Sequence, residues 1–540
     1  MNSIRKLGAV MASASILLAG CKPNLDVTNP NEPDVARALA SPEDVQSLAI
    51  SSVHSWYLSS TNYEPYAFLQ TTADVLTANF GNFGMRFNNL EPRIAYANNS
   101  AGGDRGTTET PWNDYYGTLG AANDAIRAFK SGVTLAAGQA ETDKFTRLAQ
   151  FSQAATLTNL ALLFDQSFIV DDQTDPQVPP ELSPYKDVSA NAVAKWAALA
   201  ASENGKTDTY DPSVLPMLVG PLNSSRIARI ANTMAALTMA YTPRNAAEAA
   251  TVNWAQVATY AAAGVGTGSG GAPFDMVVIG DFNTWYSNMV DIGNAPSWQR
   301  VDLRVINRMD PNSPTKMTTT TPPAKGSSAD ARFTSDFEYK VPIPGDPARG
   351  IYMLSPYYHS RYFDHSTDSP TEEQTPVPYL LAAESDLVRA EALIRSNGDL
   401  ALAASLINNT RVTRGHLTPA AAADGSATLL GYISYERDVE LLNTNGWALF
   451  QRRHVDGLQA GTVHHLPIPA KELETLGLPV YTFGGVGKEQ FLGGFNAGGI
   501  MVSRNYFGPS NASISLPTGQ TLPLHFPVTR SRAQSLLRKE

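Results

Sequence analysis

The stretch that decides the fold begins Leu380-Leu381-Ala382-Ala383-Glu384 and continues Arg389-Ala390-Glu391-Ala392-Leu393. Gly398-Asp399 then opens Ala403-Ala404-Ser405-Leu406-Ile407-Asn408-Asn409 and Arg411-Val412-Thr413-Arg414-Gly415. Apolar residues recur at helical spacing, which predicts helices over 377–397, 399–414 and 426–445. Glu436-Arg437, Glu440-Leu441, Arg452-Arg453 and Leu466-Pro467-Ile468-Pro469 follow in order, with Glu472-Leu473 behind them.

Upstream, helical signals also come in pairs. Ser41-Pro42-Glu43-Asp44 reads as a cap, a first-turn proline and an acidic first turn. Val45, Leu48, Ala49, Val53 and Trp56 continue it at helical spacing. Thr110-Pro111 opens a second helix, striped by Trp112, Tyr115, Tyr116, Leu119, Ala122, Ile126 and Phe129. Gly117 and Gly120 inside it cost helix stability, so they predict close approach of a neighbouring helix. Further helices are expected at 141–166, 189–203, 223–242 and 247–263. Paired helices suggest tetratricopeptide-like hairpins, although no strict 34-residue period is present. From 264 to 376 the pattern breaks into Gly, Pro and Ser/Thr clusters with short apolar runs such as Met276-Val277-Val278-Ile279. A long stretch without periodicity is typical of functional loops.

The chain has 540 residues, 43% of them hydrophobic, so most of it can fold around a core. Its formal net charge is −10, which argues against a basic nucleic-acid surface. Cys21 is the sole cysteine, which excludes internal disulfides and cysteine-based metal clusters. Arg5 and Lys6 precede an apolar run from Leu7 to Ala19, too short to span a bilayer and suited to an export signal. The run ends Leu18-Ala19-Gly20-Cys21, which resembles the lipobox of bacterial lipoproteins. That resemblance implies cleavage after residue 20 and lipidation of Cys21. Several acyl chains would anchor the protein stably where one would not. Lys22, where an Asp would signal retention, fits release toward the outer membrane.

The ordered series in the last third resembles the SusD/RagB family of outer-membrane nutrient-binding lipoproteins. Leu25-Asp26-Val27-Thr28-Asn29-Pro30-Asn31 is similar to the family's start, and so are Trp112, Tyr116, Asn123 and Ile126 in the second helix. One departure is evident: Thr444-Asn445-Gly446-Trp447-Ala448-Leu449-Phe450 stands where the family usually carries an acidic-Gly-x-Arg-Trp-x-Asp stretch. A buried ion pair at that place is therefore in doubt. The resemblance implies a mostly α fold, with tetratricopeptide-like helix hairpins supporting a long, irregular, loop-rich ligand-binding half. It implies an export signal over 1–20, a helical region over 21–263, a ligand-binding region over 264–376 and a C-terminal helical region over 377–540. It also implies a cell-surface lipoprotein, anchored in the outer membrane, that binds an oligosaccharide or other polymeric nutrient without cleaving it. The partner implied is a TonB-dependent outer-membrane transporter. No cofactor is expected.

Catalytic and metal chemistry find no constellation. Glu391, Glu436 and Arg437 sit on amphipathic helices, where ion pairing with Arg411 or Arg414 is the plainer reading than acid/base work. His359, Asp364 and His365 lie close in sequence and could ligate a metal, and His464-His465 is a second candidate, but solvated loop residues are the plainer reading. The loop aromatics are the better candidates for binding. Trp285, Tyr286 and Trp298 lie among Asn283, Asn288, Asn294, Gln299 and Arg300. Phe80, Phe83 and Phe87 interleave with Asn79, Asn82, Arg86, Asn88 and Asn89, with Asp74 nearby as a further member of this second group. A third cluster is Tyr357, Tyr358, Tyr362 and Phe363. A flat ring takes the C–H face of a sugar, while amides and guanidiniums pair its hydroxyls. The same rings could instead pin long loops to the scaffold. The competing functions are an exported all-α glycoside hydrolase and a ligand-free helical-repeat scaffold of the cell envelope.

Overall fold

A computed structural model describes residues 39–175, 178–370 and 374–486. The export signal, Cys21 and the Leu25–Asn31 motif lie outside the described residues. Helices dominate the described chain, and its strands form three two-stranded antiparallel sheets.

The chain begins with α1 (Pro42–Ser60), capped by the Ser41 hydroxyl, which accepts from the Asp44 amide at 3.3 Å. Then come α2 (Tyr63–Thr72), the short α3 (Met85–Asn88), α4 (Gly106–Lys130) and α5 (Gln139–Leu163). Strands β1 (Gln166–Phe168) and β2 (Leu182–Pro184) pair before α6 (Tyr185–Glu203), α7 (Ser224–Tyr241), α8 (Ala246–Ala249) and α9 (Trp254–Ala262). Helices α1, α4, α5, α6, α7 and α9 pack each against the next, as stacked hairpins do. Their apolar stripes interlock in one core that holds Trp56, Trp112, Tyr115, Leu160, Trp196 and Leu237.

Several expected boundaries move, each for a local reason. Helix α4 starts at Gly106, before the Thr110-Pro111 signal, and Pro111 lies inside it. Glu64 sits against the Gly106 position and accepts from the Thr110 hydroxyl at 2.8 Å. Its carboxylate therefore serves the positive helix end that no local side chain caps. Gly117 and Gly120 face solvent, with nothing within 4 Å of a Cβ at either, so the predicted close helix approach is absent there. The helix expected over 247–263 divides, because the Asn253 side chain caps a new start by accepting from the Gln256 amide.

After α9 the chain leaves the helical array through β3 (Met276–Gly280). It passes α10 (Asn288–Asn294), α11 (Leu303–Met309), α12 (Arg332–Ser335), β4 (Phe337–Tyr339) and β5 (Tyr357–His359). It returns through β6 (Thr375–Leu380). Strands β3 and β6 pair antiparallel, Val278 opposite Val377, so the two ends of the irregular segment are clamped together. The apolar run at 377–381 is thus a strand, and the helix expected from 377 begins at Ala382. Pro376 and Pro378 explain the change, since the residue before a proline is pushed away from helical angles. Helices α13 (Ala382–Arg395), α14 (Leu400–Arg411) and α15 (Gly425–Val439) then complete the array, followed by α16 (Ala448–Arg453) and α17 (Ala470–Thr475). Helix α13 packs on α9, α14 and α15.

Buried charge joins the irregular segment to these last helices. The Arg332 guanidinium, wholly buried, pairs with Asp330 at 2.8 Å, Glu436 at 2.6 Å and Glu440 at 3.1 Å. Glu440 also holds Arg361 and Arg414, each at 3.0 Å, and Arg414 reaches Asp336. Ion pairing of Glu391 and Glu436 is therefore present, with other partners than Arg411 and Arg414. Glu391 takes Arg437 at 2.7 Å and Arg395 at 2.7 Å, with His454 Nε2 at 3.1 Å, and against the cost of burial the two guanidiniums hold its carboxyl well below the ordinary value. Arg411 instead donates to the Thr418 carbonyl and lies over the Tyr432 ring.

The departure noted at 444–450 also has a physical counterpart. Asn445 and Gln451 donate their amides to the buried Glu384 carboxyl, at 2.6 and 3.0 Å. No cation bonds it directly, and burial pushes it up to about 7. A raised carboxyl favours the folded state when protonated. Its contribution is full below the unfolded value near 4.5 and is lost as pH rises through about 7. The loss amounts to about 3 kcal/mol. We predict that Glu384→Gln flattens the decline in unfolding free energy between pH 5 and 8, as measured by chemical denaturation. An unchanged slope would contradict this origin.

Candidate ligand-binding surface

Two of the three aromatic groups of the sequence meet in space. Phe80 packs on Trp298 with ring centroids 4.6 Å apart, and its backbone amide donates to the Trp298 carbonyl at 3.2 Å. Phe83 stacks on Tyr63 at 4.5 Å and 9°, and lies 6.1 Å from Trp298. These rings rest on a small apolar cluster of Ala67, Ala78, Met85, Ile292 and Met353. Segments more than 200 residues apart thus build one surface, with Phe80 as its open ring at 43% exposure. Trp298, Phe83, Tyr63 and Arg86 are half-buried around it, and Asn82 and Ser297 are exposed at the rim.

Local backbone holds the rings out. Phe83 has φ +54°, a left-handed conformation that is costly for a bulky residue. Gly81 at φ +89° and Gly84 at φ +71° flank it, and a Cβ on Gly84 would collide with Thr107. The loop is tied down from inside by Asn89, whose amide donates to the Thr71 carbonyl at 3.1 Å. From the other side, Asp368 accepts from the Ser297 amide and hydroxyl at 2.8 and 2.7 Å.

The remaining candidates have other surroundings. Trp285 is only 7% exposed and packs against His54 at 4.7 Å and Tyr57 at 5.2 Å, so its ring joins the core and offers no open face. Asp74 is buried as well, paired with Arg93 at 2.6 Å and accepting from Gln459 at 2.7 Å. It orders the loop base and cannot reach a ligand from there. Tyr286 is half-buried beside the surface. Its hydroxyl donates to Asp291 at 2.5 Å and meets that of Tyr63. Tyr357 and Tyr358 of the third group are buried against β4 and its surroundings, where they pin loops. Tyr63 and Arg349, which line the same surface, carry no local sequence signal: each gains its place from a partner far along the chain.

The acid/base and metal-ligating candidates of the sequence are engaged within the fold. Glu391 and Glu436 are committed to the buried ion pairs above. His359 accepts or donates at Asn294, and burial pushes its imidazole down to about 3. His365 engages Thr375 and the Ser287 amide, and burial holds it down at about 4. No three His, Cys, Asp or Glu side chains converge on a metal-sized site among the described residues.

These positions separate structural from surface rings by stability. Trp285→Ala is expected to cost about 3–5 kcal/mol, the range for a buried aromatic. Phe80→Ala should change stability by less than about 1 kcal/mol, because its ring is largely exposed. Thermal melts of both variants check the assignment, and equal destabilisation would contradict it.

No family model matches the sequence, and no curated protein is similar to it in sequence. Solved structures, however, are similar in fold. A SusD superfamily protein from Parabacteroides distasonis superposes with TM-score 0.56 at 12% identity, covering 80% of this chain and 97% of that one. The surface glycan-binding protein A of Bacteroides uniformis gives TM-score 0.55 at 13% identity, covering 81% and 98%. A SusD-like carbohydrate-binding protein from Bacteroides fragilis gives 0.51 at 14%, covering 77% and 86%. The stacked helix hairpins, the clamped irregular segment and the near-complete coverage agree: this chain has the SusD-type fold.

Proposed function

We propose that the protein is a cell-surface lipoprotein that binds a glycan without cleaving it and passes it to a TonB-dependent outer-membrane transporter. The observation that carries the reading is the surface built by Phe80, Trp298, Phe83 and Tyr63. Open aromatic area with amides at its rim suits a sugar, which pairs an apolar face with a belt of hydroxyls. Proteins of this fold include a surface glycan-binding protein and a carbohydrate-binding protein by name, which supports the same class of ligand. The commitment of Glu391 and Glu436 to buried ion pairs favours binding over hydrolysis. Anchoring rests on the lipobox-like Leu18–Cys21 sequence, and no helix among the described residues is long and apolar enough to cross a membrane.

A ring stacked on a sugar is worth on the order of 1–3 kcal/mol. The Phe80→Ala/Trp298→Ala double variant should therefore lose roughly 10-fold or more in affinity, by calorimetry on the best of an oligosaccharide panel. It should keep its secondary structure by circular dichroism. Full affinity in the double variant would remove the surface from the binding role, and release of shorter sugars from the panel would favour a hydrolase. For the anchor, Cys21→Ser should move the protein from the outer-membrane fraction to the soluble one or leave it unprocessed. Normal processing and retention in the membrane would contradict lipidation.

A further inference from the structure

The aromatic surface also carries two arginines that have no carboxylate partner among the described residues. Arg86 makes no side-chain hydrogen bond or ion pair among the described residues. Every other described arginine spends at least one nitrogen on a carboxylate or a carbonyl. Arg349 uses Nη1 on the Phe80 carbonyl, at 3.0 Å, and has no carboxylate partner. Both arginines border Gly81. A Cβ on Gly81, next to Phe80, would meet Arg86 Cβ at 3.5 Å and Arg349 Nη1 at 3.6 Å. Asp346, three residues before Arg349, accepts from the Ala348 amide of its own turn, and Asp368 takes both donors of Ser297; neither forms an ion pair with Arg86 or Arg349.

Arg226, Arg389 and Arg411 also bond only to carbonyls, but Arg86 alone among the described arginines has neither a carboxylate nor a carbonyl partner. A guanidinium presents a planar fork of donors that matches a carboxylate or sulfate, and an anion in that fork is held by charge-assisted hydrogen bonds. Placed beside an open ring, the fork would read an acidic substituent while the ring takes the sugar face. We propose that the preferred ligand is an acidic polysaccharide, whose carboxylate or sulfate groups are bound by Arg86 and Arg349 beside Phe80 and Trp298. This rests on the glycan-binding reading above and narrows it to one substrate class.

The test uses the mature protein and three probes: neutral malto- and cello-oligosaccharides, oligogalacturonates, and κ-carrageenan oligosaccharides. Oligogalacturonate binding points to a carboxylate and carrageenan binding to a sulfate. At least one acidic series should bind about 10-fold or more tighter than the neutral ones, and its affinity should fall with rising salt. Arg86→Ala and Arg349→Ala should each weaken it about 10-fold, the scale of a charge-assisted hydrogen bond. Arg86→Lys should restore only part of the loss, since an ammonium lacks the fork. Neutral series bound as tightly as acidic ones, untouched by Arg86→Ala/Arg349→Ala yet weakened by Phe80→Ala/Trp298→Ala, would overturn the acidic class and leave the glycan surface standing. Binding insensitive to both double variants would overturn the surface itself. No binding of either acidic series at millimolar concentration would also overturn the proposal.

Discussion

The Arg332 guanidinium is the constraint on which the rest depends. It is 0% exposed and lies in the irregular segment, while two of its three carboxylate partners, Glu436 and Glu440, lie at the end of α15. A buried cation is tolerable only where carboxylates surround it, and removing one partner of such a set typically costs 3–5 kcal/mol. The segment between β3 and β6 is therefore closed at its ends by the strand pair and held to the last helices near its middle by this charge cluster, with the Arg308–Asp438 pair and the Asn443–Gly293 bond beside it. Arg361, Arg414 and Asp336 extend the cluster to the turn after β5. With its base fixed in this way, the segment can carry aromatic side chains outward without collapsing onto them.

That arrangement explains how a surface forms from parts that are each weak alone. Phe80 and Phe83 belong to a loop after α2, and Trp298 belongs to the segment after α10. Neither loop has secondary structure enough to fix a ring. The Phe80–Trp298 backbone bond, the Asp368–Ser297 pair and the apolar cluster beneath them supply the missing order. The left-handed Phe83 stores strain that this surrounding packing sustains.

Much of the scaffold was legible in the sequence, because stripes and caps are local. The stripes of Trp112 to Phe129 and of Ile227 to Tyr241 are largely buried as their spacing requires, and Ser41 and Asp399 cap the helices that follow them. Where reading failed, a distant partner decided. Glu64 extends α4 by a turn, and Val277 and Val278 make a strand of residues that would otherwise continue into α13. The candidate surface was half legible. Loop aromatics stood out by composition, but Trp285 and Trp298 look alike in sequence, and only packing against His54 and Tyr57 separates the buried one from the surface one. Tyr63 and Arg349 could not be found at all, since their roles come from Phe83 and Phe80.

The central claim is that Phe80, Phe83, Tyr63 and Trp298 act as one sugar-binding surface. The most direct measurement is a crystal structure of the mature protein with the oligosaccharide it binds best. The account predicts a sugar ring in van der Waals contact with Phe80 or Trp298, at about 4 Å between heavy atoms. A sugar seated elsewhere on the molecule, with both of these rings still open to water, would contradict it.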